Sequence, residues 1–107
     1  MKQYTSNDQT AKLNELGFEK PSPNFYQNGV TWLKCEGNYS IGELLSFLPE
    51  NIAKENEMPS TLNISLLNGE WCVEYADFLG ADFSFHSVEL IDAIFNMIEK
   101  LKEKEVI

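Results

Sequence analysis

The stretch from Leu62 to Tyr75 constrains this chain more than any other, because it consists of two alternating runs separated by Asn68-Gly69. Asn-Gly takes positive φ readily and suits the two-residue type I′ turn that joins antiparallel strands. Pairing outward from that turn sets Leu66 opposite Trp71, Ile64 opposite Val73 and Leu62 opposite Tyr75, all on one face. The other face then holds Asn63, Ser65 and Leu67 with Glu70, Cys72 and Glu74. A slip of one residue would turn the six large side chains outward, so pattern and turn chemistry specify one register. The result is a hairpin with one apolar side that helices must cover.

Two helices suit that task. Leu90, Ile91, Ile94, Met97, Ile98 and Leu101 recur at three- and four-residue steps, predicting an amphipathic helix over 87–104 with Ser87 as N-cap and Glu89 in its first turn. Lys100, Lys102 and Lys104 gather at its negative end. Ser40 and Glu43 have capping-box spacing, with Tyr39 and Leu44 at the staple positions, so a second helix is expected over 40–48, limited by Pro49. A third, short helix starts at the Ser6-Asn7-Asp8 cap and ends at Gly17, with Leu13 and Leu16 toward the core.

The remaining segments are less regular. Residues 25–35 are rich in β-formers around Asn28-Gly29, which reads as a hairpin tip. Glu50 to Ser60, with Pro59 near its end, reads as a polar surface connection with room for one helical turn. Ala76 to Phe85 is either a further strand around 81–85 or a loop carrying Phe78, Leu79 and Phe83 over the core, bent at Gly80. The expected fold is α+β: a two-layer domain spanning 1–107, with an antiparallel sheet of three to four strands, joined by 30–35, and helices on one face.

At 107 residues the chain matches one domain, and 43% hydrophobic with 23% charged residues is a globular composition. No apolar run approaches a membrane span and the first residues are polar, so the expected location is cytoplasmic. Cys35 and Cys72 are far apart with a single histidine in the chain, which suggests neither a zinc site nor a redox motif. Seventeen acidic residues against eight basic ones give a net charge of −9, and all eight basic residues are lysines. Between Glu70 and Glu99 the chain carries seven carboxylates and no lysine. A chain without guanidinium groups is poorly equipped to grip phosphate or guanine, so direct nucleic-acid binding is not expected.

Two constellations could carry function. Asp82, His86, Glu89 and Asp92 form a candidate polar site near the start of the last helix, as a metal- or nucleotide-binding enzyme would need, although a lone histidine at a helix entry is usually a turn residue. Phe25, Tyr26, Phe78 and Phe83 form a candidate contact surface for another protein or a second copy. No catalytic residue, metal ligand set or cofactor is assigned, since none of the common nucleotide or hydrolase motifs occurs.

At Glu15-Leu16-Gly17-Phe18, at 39–49 and at 89–98, the chain resembles a group of small uncharacterised proteins of gut bacteria and their phages or mobile elements. That resemblance implies a compact cytoplasmic accessory protein; the group has no assigned activity or catalytic residues, so it carries no role to individual positions. The leading functional expectation is thus a non-enzymatic protein-binding or regulatory module. The alternatives are a small enzyme at the acidic site and an acidic mimic of nucleic acid.

Overall fold

The 62–75 segment folds back as its turn chemistry requires, in a computed structural model that describes residues 1–18, 24–28, 31–35, 38–54 and 57–107. Asn68 and Gly69 take φ of 54° and 76°, the left-handed values of a type I′ turn. They join β4 (Glu57–Leu67) to β5 (Glu70–Asp77), with Leu66 against Trp71, Ile64 against Val73 and Leu62 against Tyr75. A second two-residue turn, Phe78-Leu79, leads into β6 (Gly80–Ser87), and Asp77 Oδ1 accepts from the Leu79 N–H at 2.8 Å. Residues 80–87 are thus a full strand, and Phe78 and Leu79 stand in solvent at 78% and 81% exposure instead of folding over the core.

The fourth strand comes from the segment read as a polar connection. β3 (Asn51–Lys54) pairs with 57–61 of β4, giving the antiparallel order β3-β4-β5-β6. Two signals argued against a strand there, Pro59 and the run of polar residues, and both are accommodated. Pro59 falls where the register shifts, a place that does not need its missing N–H. Ile52 supplies the one apolar side chain that must turn inward, opposite the fully buried Ser60.

Residues 31–35 do not join this sheet. They form β2 (Thr31–Cys35), which pairs with β1 (Asn24–Asn28) in a separate two-stranded ribbon where Asn28 meets Thr31. The place beside β4 goes to β3. The tip at Gly29 lies outside the described residues.

Among the described residues, three helices complete the α+β fold. The first, α1 (Asn7–Glu15), is closed by a capping box between Ser6 and Gln9, and buries Leu13. Next, α2 (Ile41–Ser46) has the Ser40–Glu43 box, with both staple residues, Tyr39 and Leu44, fully buried. The last, α3 (Leu90–Glu103), starts later than the Ser87 cap suggests, because Ser87 is still paired with Trp71 in the sheet; Glu89 is the N-cap residue, and its N–H donates to Ser87 Oγ. All six stripe residues of α3 are buried, together with Ala93 and Phe95. This helix lies across β5 and β6, while α2 packs chiefly on α3 and not on the sheet.

One core results, built from Val73, Tyr75, Leu13, Tyr39, Leu44, Leu48 and the α3 stripe. Its polar atoms are satisfied. Tyr39 Oη donates to Asn14 Oδ1 at 2.8 Å, and Tyr75 Oη donates to the Pro49 carbonyl at 2.6 Å. Burial pushes the Tyr75 hydroxyl up to about 12. Among the described residues, no helix is long and apolar enough to cross a membrane.

Candidate functional site

The residues of the expected polar site are divided between two elements, β6 and the head of α3, and do not converge. Asp82 is the extra residue of a bulge in β6, between the Tyr75–Phe83 and Ala76–Ala81 pairs, and accepts a hydrogen bond from the Ser60 hydroxyl. Glu89 and Asp92 are brought together at the head of α3, where the N-terminal segment holds both. The Lys2 backbone N–H donates to Glu89 Oε2 at 2.8 Å, while Lys2 Nζ and Gln9 Nε2 reach Asp92 Oδ1 at 2.8 and 2.7 Å. Partial burial alone would raise the Asp92 carboxyl. The two hydrogen bonds and the lysine charge outweigh it, so its pKa lies below the ordinary carboxylate value. Both acids therefore act as tethers for residues 2–9.

His86 points the other way, onto the sheet face that the helices leave open. There it meets residues absent from the sequence-based site: Glu70 Oε1 lies 3.4 Å from its Nδ1, and Ser84 Oγ and Cys72 Sγ lie 3.2 and 3.7 Å from its Nε2. The order carboxylate, imidazole, thiol or hydroxyl is that of an activated nucleophile. The setting is unlike one. His86 and Glu70 side chains are half exposed on an open sheet face, and the Glu74 carboxylate sits 3.8 Å from the sulfur. These contacts fit cross-strand support of β5 and β6. Their signal in the sequence was the alternation of Ser84 and His86 opposite Cys72 and Glu74, legible once 80–87 is a strand. Among the described residues, no cluster of three or more His, Cys, Asp or Glu is arranged to hold a metal ion.

Of the expected contact surface, Phe78 is exposed at its turn, whereas Phe83 is half-buried against the core. The Phe25 and Tyr26 side chains lie outside the described residues. An open cleft of about 550 Å³ between α1 and α3 is lined by Lys12, Leu16, Phe85, Asn96 and Lys100 among others, a mixed wall in which lysine and glutamate side chains surround two apolar ones.

The feature with the clearest capacity to bind is the outer edge of β4. β3 covers that edge as far as the bond from the Leu62 N–H to the Glu50 carbonyl, 2.9 Å. Beyond it, among the described residues, no strand pairs with 63–67 on that side. In an antiparallel ladder alternate residues direct their N–H and C=O to opposite sides. Asn63, Ser65 and Leu67 are bonded to β5, so Ile64 and Leu66 present their backbone outward. Their side chains lie on the helix-covered face but beyond the reach of α3, at 38% and 55% exposure. From Met58 to Gly69 there is no charged residue, although the chain carries 25 in 107. Natural sheets usually blunt such edges with lysine, proline or a bulge, and 63–67 has none of these.

The chain matches no known family model, no curated protein and no solved structure.

Proposed function

We propose that this chain is a non-enzymatic protein-binding module that engages its partner through the 63–67 edge of β4. The observation that carries this reading is the outward backbone at Ile64 and Leu66 within an uncharged, apolar segment. An exposed edge of that kind is a template for β-augmentation, in which main-chain hydrogen bonds supply affinity and side chains of alternate residues supply selectivity. The faces of the sheet are occupied or polar: α3 covers β5 and β6, and the open face carries Glu70, Glu74, Ser84 and His86. The outer edge of β6 is also unpaired among the described residues, but it is interrupted by the bulge at Asp82, a device that blunts an edge.

The test compares capture from cells of the native source by the unaltered chain, by Leu66→Lys and by Phe78→Lys. Leu66 is 55% exposed, so the lysine should change stability by no more than about 0.5 kcal/mol. A partner retained by Phe78→Lys and lost by Leu66→Lys supports the edge. Loss in Phe78→Lys with retention in Leu66→Lys would move the contact to the 78–79 turn and refute the proposal, as would capture indifferent to both changes.

A further inference from the structure

We infer that the lane beside β4 receives an extended peptide strand of a partner, apolar at alternate positions and lysine- or arginine-bearing between them. This rests on the edge-binding reading and adds the identity of the occupant. The lane is short: five residues, about 17 Å at the rise of a strand. It is closed at one end by Glu50, whose carbonyl holds Leu62, and at the other by the Asn68-Gly69 turn. Within it, Ile64 and Leu66 together offer two donors and two acceptors, enough for a strand of about five residues and too few for a whole sheet edge.

A second copy fits this lane badly. Antiparallel pairing of two β4 strands that uses only the outward groups of Ile64 and Leu66 places the two-fold axis at Ser65. Asn63 of one chain then lies opposite Leu67 of the other, so the second chain's 68–69 turn arrives where Glu50 already sits beside Leu62. Two molecules of net charge −9 would also be brought edge to edge. A single strand, which carries no folded hairpin behind it, meets neither obstacle.

Charge and shape then define the occupant. On the helix-covered side an incoming strand lies beside Ile64 and Leu66, with Trp71 next to them across the hairpin, and apolar side chains extend that surface. On the open side its neighbours are Asn63, Ser65 and Leu67, with Glu70 and Glu74 one strand further and Glu50 at the lane's mouth. β4 supplies no cation there, so long basic side chains are the ones that can reach those carboxylates.

The experiment uses the full chain and three synthetic seven-residue peptides: alternating valine and lysine, alternating valine and glutamate, and the valine–lysine peptide with alternate amides N-methylated on its bonding edge. Amide hydrogen exchange at Ile64 and Leu66 and calorimetric affinity are read together. The valine–lysine peptide should slow exchange at both amides and bind about tenfold or more tightly than the acidic one, with an affinity that falls as salt is added. N-methylation should abolish the protection. Equal affinity for the acidic peptide, unchanged exchange at saturation, or no binding of the valine–lysine peptide at millimolar concentration would each overturn the inference. So would protection at Ile64 and Leu66 that grows with protein concentration in the absence of peptide, which identifies a second copy as the occupant. Those results leave the edge-binding reading standing if Leu66→Lys still loses the native partner; loss of the reading itself is seen only in that capture comparison.

Discussion

Asp92 shows how a residue that looks catalytic can be spent on tethering. Its carboxylate accepts from Lys2 Nζ and Gln9 Nε2, and with Glu89 it ties the first nine residues to the head of α3. Because the folded pKa lies below the unfolded value, this group contributes stability that is present above about pH 4 and is lost as pH falls through the folded pKa. The Lys2 and Asp92 side chains are about one-third exposed, so solvent screening keeps the pair to about 1 kcal/mol or less. Asp92→Asn should therefore lower urea-unfolding stability by that amount at pH 7 and by much less at pH 2.5. An equal loss at both pH values would assign the effect to packing and not to charge. Lys2 is 90 positions from Asp92, so no local pattern in the sequence could have exposed this pairing.

Among the elements, the β4–β5 hairpin and the α2 cap were legible residue by residue, since both depend on chemistry within a few positions. The two glycines nearest to those features provide a contrast. Gly69 has φ of +76°, where a side chain is strained even with open space around it, so Gly69→Ala should cost about 1–2 kcal/mol. Gly42 lies in the first turn of α2, and a methyl group there would meet only Ser40 Oγ at 3.9 Å, an ordinary contact. Gly42→Ala should stabilise by about 0.4–1 kcal/mol by reducing the freedom of the unfolded chain. Thermal or urea melts of the two variants should thus move in opposite directions. Where the elements were misread, long-range pairing had overridden local signals: β3 is polar in sequence and exists because 57–61 needs a partner, and α3 begins after Ser87 because β5 claims that residue for the sheet.

At the scale of the molecule, the net charge of −9 is distributed over a small surface and opposes compaction. Screening should relieve this, so raising sodium chloride from 20 to 500 mM is expected to raise the melting temperature in calorimetry; a fall would show that attractive pairs such as Lys2–Asp92 outweigh the repulsion. Salt should act oppositely on the proposed basic strand, weakening its capture while stabilising the fold. The sequence alone determined the hairpin register, the inward stripe of α3 and the acidic, arginine-free surface, because each follows from side-chain period, turn dihedrals or simple counting. Tertiary structure decided which strand lies beside β4, how far it reaches and where the helices stop. Those outcomes depend on which backbone groups find partners across tens of residues, and the unpaired edge at 63–67 is what remains when β3 ends its pairing at Leu62 and α3 covers only β5 and β6.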